Sequence, residues 1–277
     1  MRLLSFLLAS LLAGALAAPA YAASPASPEI SARSALIVDA DGRILYERNA
    51  NKRLPNASTT KVLTALVVID HSALEDVITV SNAAAKAPPS RLGLVPGERY
   101  TVLELLYALL LESANDAAIA LAEHVAGSPE RFAKVLNQKA KALGAQNTHF
   151  VTPNGLHSPG HYSTARDLAV IMRAAMQSPI FVAIAQTQAV DLVWPGNHAS
   201  HRVDNHNKLL ASYATPVLGK TGFTNPAGRC FIGATQDNLL TVVMLGSQNL
   251  WRDARRLFDW GIKAKQHTSR GAAGGQS

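Results

Sequence analysis

The stretch Asn56 to Leu66, NASTTKVLTAL, places a hydroxyl and an amine three residues apart where a strongly apolar run begins. In a helix, residues i and i+3 share a face and lie about 4.5 Å apart along the axis, so Ser58 and Lys61 point the same way. A helix starting near Asn56 or Ala57 puts Ser58 in the first turn, where free backbone N–H groups and the helix dipole favour developing negative charge. Such a serine is a candidate nucleophile. Lys61 can take its proton if burial or a neighbouring cation lowers the amine's pKa. A capping serine and a surface lysine would share the spacing, and roughly one S-x-x-K pair arises by chance in a chain this long.

Two further clusters raise the specificity. Ser113-Ala114-Asn115 interrupts a long helical block, between LLYALLLE and DAAIALAEHV. Lys220-Thr221-Gly222 lies in a β-rich third of the chain, followed by FTNPAGRC. The ordered set S-x-x-K, S-x-N, K-T-G resembles the penicillin-recognising serine enzymes. Within them it is most similar to the D-alanyl-D-alanine carboxypeptidases and endopeptidases, the low-molecular-mass penicillin-binding proteins. The likeness runs from about Ala32 to Lys265 and includes the segment THFVTPNGL…HYSTARDLA.

The resemblance implies a role for each matching position. Ser58 would form an acyl-enzyme with the penultimate D-alanine of a peptidoglycan stem peptide, and Lys61 would accept its proton. Ser113 would relay the proton to the leaving amine, and Asn115 would hold a substrate amide. Lys220 would face the substrate's terminal carboxylate and help keep Lys61 neutral, with Thr221 and Gly222 completing the binding strand. The backbone N–H groups of Ser58 and Phe223 would form the oxyanion hole. Water would release the acyl group, and β-lactams such as penicillins would acylate the same serine as covalent inhibitors. The resemblance implies no cofactor and no metal.

Other chemistries fit less well. A β-lactamase of the commonest class needs a glutamate between the second and third motifs. Here Glu123 and Glu130 are the only ones, both in helical patterns soon after Ser113. A metal-dependent hydrolase would use histidines such as His157, His161, His198, His201 and His206, but their spacings match no H-E-x-x-H pattern and loop histidines are usually solvated. Cys230 has no His–Asn partners and reads as a small buried apolar residue. Ser247-Gln248-Asn249 also fits S-x-N but follows the K-T-G element. A wall-binding protein without turnover would have lost a nucleophile or base, and none is missing. Carboxypeptidase is the main reading and endopeptidase the alternative, since both use the same serine.

These groups need elements to hold them. SALIVDADGRILYERN predicts a hairpin around Asp41-Gly42. Thr101 to Glu104 is a capping-box pattern ahead of the helical block that Gly127 closes. Ser128-Pro129-Glu130 opens a helix ending near Gly144, and Thr164 to Met176 is another. Short β-rich runs follow from Tyr213, then the amphipathic WRDARRLFDWGIKAK. The fold expected is α+β: a mostly antiparallel sheet flanked by helices, plus an all-helical lobe, with the site in the groove between them.

With 277 residues and 48% hydrophobic content, one sizeable core is available. Residues 1–22 read as a signal peptide, with Arg2, an apolar run and Ala20-Tyr21-Ala22 before the cleavage point, so the protein is expected to be exported, to a periplasm or beyond. Residues 23–31 read as a flexible leader, 32–267 as the peptidase domain and 268–277 as a disordered tail. The single cysteine excludes an internal disulfide. The net charge of +7 is dispersed, which excludes a nucleic-acid patch and leaves at most a peripheral membrane contact.

Overall fold

The computed structural model describes residues 26–273 apart from 194, 195, 198 and 214, with side chains described up to residue 266. The expected signal peptide lies outside the described residues.

The chain opens with β1 (Ser34–Asp39) and β2 (Ile44–Arg48). Asp39 Oδ1 accepts from the N–H groups of Asp41 and Arg43, and Gly42 takes φ +83, so the Asp41-Gly42 turn forms as its residues dictate. A 3-10 turn (Ala57–Thr60) leads into α1 (Lys61–His71). Then come β3 (Val77–Thr79), α2 (Asn82–Ala85), β4 (Arg99–Thr101) and α3 (Val102–Tyr107). A π-helical turn (Ala108–Glu112) separates α3 from α4 (Asn115–Ala126), followed by α5 (Pro129–Ala142), α6 (Ala165–Ala175) and α7 (Pro179–Ala185). After β5 (Ala189–Leu192) and β6 (His201–Asp204), the strands β7 (Val217–Thr224), β8 (Gly228–Thr235) and β9 (Leu240–Ser247) precede α8 (Leu250–Ala273).

The main sheet has the order β2-β1-β9-β8-β7, every neighbour antiparallel, so the first hairpin joins the last three strands. Alternation along β1 divides the core in two. Leu36 and Val38 pack with the helical lobe, whereas Ala35 and Ile37 pack with Phe231, Val242, Leu257 and Phe258 under α8. β9 is buried along its whole length because α6 covers one face and α8 the other. Helix α1 is buried on all sides over residues 61–68, which explains why its sequence is apolar all round rather than striped. The two small sheets, β3-β4 and β5-β6, were not expected from sequence, because each strand is only three or four residues long.

The helix-end signals act as their chemistry requires. Thr101 Oγ1 accepts from Glu104 N at 3.1 Å while Glu104 Oε2 takes Thr101 N at 2.7 Å. Ser128 caps α5 with Pro129 in its first turn, and Thr164 caps α6. Residues 26–31, within the segment expected as a leader, meet α8: Trp260 Nε1 donates to Ala26 O, Arg256 to Glu29 O, and Ser31 N to Asp253. The α8 backbone continues to Ala273.

Candidate active site

The serine turn is 3-10 rather than the α-helical start the sequence suggested. With three residues per turn, side chains at i and i+3 eclipse, which brings Lys61 Nζ to 3.0 Å from Ser58 Oγ. Ala57 takes φ +51, a left-handed conformation that costs an alanine on the order of 1 kcal/mol. A buried set of hydrogen bonds holds it there. Asn56 Nδ2 donates to the hydroxyls of Thr59 and Thr60, Thr59 Oγ1 donates to Asn56 O, and Thr60 Oγ1 donates to Ala57 O. Ser58 is left part-exposed on a turn whose other members are buried.

Lys61 is fully buried, and its amine lies near Ser58 Oγ, Asn115 Oδ1 (2.7 Å) and Asn154 O (2.9 Å). Asn115 Nδ2 donates to Pro88 O, so its oxygen must face the lysine. A neutral amine carries two N–H bonds and one lone pair. The two carbonyl oxygens can only accept, so they take both protons and the lone pair is left for the Ser58 hydroxyl. Burial, and after it the Lys220 charge, hold the Lys61 pKa well below its usual range, with Asp116 opposing. The geometry and the charge balance therefore both favour a base.

The second motif is placed by the break after the π turn. Ala114 N bonds back to Ala108 O, and Ser113 takes φ 65. That turns the chain so that α4 starts at Asn115. Asn115 N donates to Ser90 O, and the buried Asp116 carboxylate accepts from the N–H groups of Leu92, Gly93 and Leu94. The loop at 88–94 is thus fastened to the start of α4. Among the described residues Ser113 Oγ has no hydrogen-bond partner.

The third motif lies on β7, the edge strand of the sheet. Gly222 has no room for a side chain: a Cβ there would stand 2.8 Å from Ser58 N and 3.1 Å from Thr59 N. The strand therefore runs directly against the serine turn. Lys220 is buried, and burial pushes its pKa down to about 7, opposed by Glu112. Thr221 is part-exposed, and Phe223 is exposed with the Arg229 guanidinium 5.9 Å from its ring.

The sequence-predicted residues Ser58, Lys61, Asn115, Lys220 and Gly222 thus converge. Missed were the Asn154 carbonyl, Gly155 and His161. A Cβ on Gly155 would lie 2.0 Å from Ala57 O, so the PNGL loop packs on the serine turn as closely as β7 does. The Asn154-Gly155 dipeptide, a turn signal, was the mark available in the sequence, and Gly155 takes φ +80. His161 corrects the expectation of solvated loop histidines: it is buried and bonded to Thr60 Oγ1 at 3.0 Å. Among the described residues no group of three or more His, Cys, Asp and Glu could hold a metal. Cys230 is buried in β8, its thiol pushed up to about 11 by burial. Ser247 of the S-x-N decoy donates to the buried Asp253 and serves to fasten β9 to α8.

A family model described as D-alanyl-D-alanine carboxypeptidase, peptidase S11, matches residues 21–248. The chain is 38% identical over 256 residues to the D-alanyl-D-alanine carboxypeptidase DacB2 of Mycobacterium tuberculosis, covering 88% of this chain and 87% of that one. It is 33% identical over 253 residues to a D-alanyl-D-alanine endopeptidase of Pseudomonas aeruginosa, covering 87% and 81%. It spans only 62% of the longer Escherichia coli carboxypeptidases DacC and DacA. Among solved structures it superposes on a single-residue mutant of the Streptomyces K15 DD-transpeptidase with a TM-score of 0.78 at 30% identity, covering 86% of this chain and all of that one.

Proposed function

The chain belongs to the D-alanyl-D-alanine carboxypeptidase family of serine peptidases, and on that premise we propose that it removes the terminal D-alanine from peptidoglycan stem peptides through an acyl-enzyme on Ser58. The observation that carries this reading is the 3.0 Å approach of Lys61 Nζ to Ser58 Oγ, with Asn115 Oδ1 and Asn154 O as the amine's other two partners.

An extended peptide can lie along the edge strand β7, using its main-chain groups, with its penultimate carbonyl over the serine turn. Ser58 Oγ attacks that carbonyl carbon and its proton passes to Lys61 Nζ. The N–H groups of Ser58 and Phe223 receive the oxyanion, a role that the fit of Gly222 against Ser58 N supports. As the C–N bond breaks, the proton moves by way of the Ser113 hydroxyl to the departing D-alanine amine. Water then attacks the ester carbonyl and gives a proton to Lys61; the acyl bond to Ser58 breaks, Lys61 returns the proton to Ser58 Oγ, and the shortened peptide leaves. Lys220 and Thr221 bind the terminal carboxylate. β-Lactams, which carry a strained amide and a carboxylate, acylate Ser58 by the same path.

This chemistry belongs outside the cytoplasm, and the apolar N-terminal 22 residues are the export signal in this reading. No single described helix is long and apolar enough to cross a membrane. Digestion of purified muropeptides tests the proposal: free D-alanine from pentapeptides supports it, and cleavage of crosslinked dimers alone would make the enzyme an endopeptidase like its Pseudomonas relative. Fluorescent penicillin should label the wild type and not Ser58→Ala.

A further inference from the structure

His161 is 4% exposed and lies between the serine turn and the segment that carries Asn154. Its Nδ1 accepts from Val151 N at 3.1 Å and more weakly from Thr152 N at 3.4 Å. A backbone N–H can only donate, so the ring proton resides on Nε2, which donates to Thr60 Oγ1 at 3.0 Å. The Thr60 hydroxyl in turn gives its proton to Ala57 O. A directed chain of hydrogen bonds therefore runs from Val151 N–H through the ring and Thr60 to Ala57 O.

Both ends of that chain matter to the chemistry. Ala57 is the left-handed residue immediately before Ser58. Val151 and Thr152 lead directly to Asn154, whose carbonyl takes one of the two protons of Lys61. Pro153 O accepts from Thr64 Oγ1 at 2.6 Å, so the segment is also pinned to α1 on its far side. The ring packs against Phe150 with centroids 5.3 Å apart, which fixes its plane.

We propose that His161 is a positioning residue: its neutral ring sets the spacing between the Ser58 turn and the Asn154 carbonyl, and so aims the Lys61 lone pair at the nucleophile. The inference rests on the serine-peptidase reading and adds a residue that touches neither substrate nor reacting atoms. The ring keeps this role across the pH range of an exported enzyme, because burial, and then the neighbouring His149 and His157, lower its pKa to about 4.

Two substitutions separate bonding from bulk. Glutamine offers one acceptor and one donor in place of the two ring nitrogens, and leucine fills the space with neither. The readout is the rate constant of β-lactam acylation per titratable serine, which a loss of stability alone does not move. His161→Leu should slow acylation about 10- to 100-fold and His161→Gln by no more than about threefold, the scale expected when a catalytic group shifts by a fraction of an ångström to an ångström. Thr60→Val removes the other end of the chain, should slow acylation like His161→Leu, and replaces it if that variant does not fold. Leucine and valine variants at the wild-type rate, or a glutamine variant as slow as the leucine one, would overturn the proposal. Long-range proton–nitrogen NMR of the wild type tests the bridge without catalysis: a neutral Nε2–H ring at about pH 5 to 8 is expected, and an Nδ1–H ring or one titrating near its ordinary value of 6.5 overturns it. A wild type that is neither acylated nor active sinks the peptidase reading; the tautomer judges the bridge by itself.

Discussion

Asn115 Oδ1 lies 2.7 Å from Lys61 Nζ, while the nitrogen of the same amide is held by Pro88 O at 2.9 Å. One side chain thus joins Lys61 to the 88–94 loop, and its orientation is fixed from both ends. Asn115→Ala should lower the acylation rate about 10- to 100-fold, the equivalent of about 1.5–3 kcal/mol for a hydrogen bond to a charged or charging group. Stopped-flow acylation with a chromogenic cephalosporin measures it, and a rate within about twofold of wild type would contradict the assigned geometry.

In the proposed mechanism Lys61 takes the Ser58 proton, which only the neutral amine can do, so activity should rise with pH through its pKa. Burial depresses that pKa first and the Lys220 charge second. Lys220→Met removes the second cause and raises the Lys61 pKa, so the acid limb of the acylation profile should move to higher pH. An acyl donor without a carboxylate is the proper probe, since it does not itself need Lys220. An acid limb that stays in place or moves down would show that the two amines do not interact.

The same burial links stability to pH. The Lys220 pKa is about 7 in the folded protein against an ordinary 10.5, so between those values the unfolded chain binds more protons and stability rises with pH. The slope approaches about 1.4 kcal/mol per unit for one such lysine. Lys61 acts in the same direction. The Cys230 thiol, pushed up to about 11 from 9.0, opposes it only above pH 9. Urea unfolding between pH 7 and 9 should therefore show increasing stability, with a shallower rise in Lys220→Met. A wild type that weakens across this window would place a charged, solvated Lys220 in the folded state.

Gly222 and Ser58 give a steric test. An alanine Cβ at 222 would press on Ser58 N at 2.8 Å and on Ala57 Cβ at 3.1 Å. The β7 strand would have to move away from the serine turn and open the oxyanion site. Gly222→Ala should cost about 100-fold in acylation and about 1–3 kcal/mol in stability. Kinetics paired with urea unfolding would tell the two effects apart, and an unimpaired rate would mean that the strand's approach to Ser58 is not needed for catalysis.

Much of this enzyme was readable from its residues alone, because the determinants are local. Serine and lysine at i and i+3 share a helical face whichever helix forms, Thr101 and Glu104 satisfy each other's neighbourhood within one turn, and Asp41-Gly42 can close a hairpin unaided. The order of the three motifs identified the family, and the alternating and continuous apolar runs identified the sheet and lobe.

The rest was decided by contacts between distant segments. A main-chain carbonyl leaves no mark in a sequence, so Asn154 O could be recognised as a partner of Lys61 only once 93 positions of chain had folded back on α1. Alanine at 57 gives no hint of a left-handed residue; Thr60, Asn56 and His161 impose that conformation from outside. The depressed lysine pKa values have the same origin, since the burial that lowers them exists only once the lobe and the sheet close over both amines and remove the water. Local residue chemistry set the candidates, and long-range packing and desolvation brought them together and lowered their pKa values.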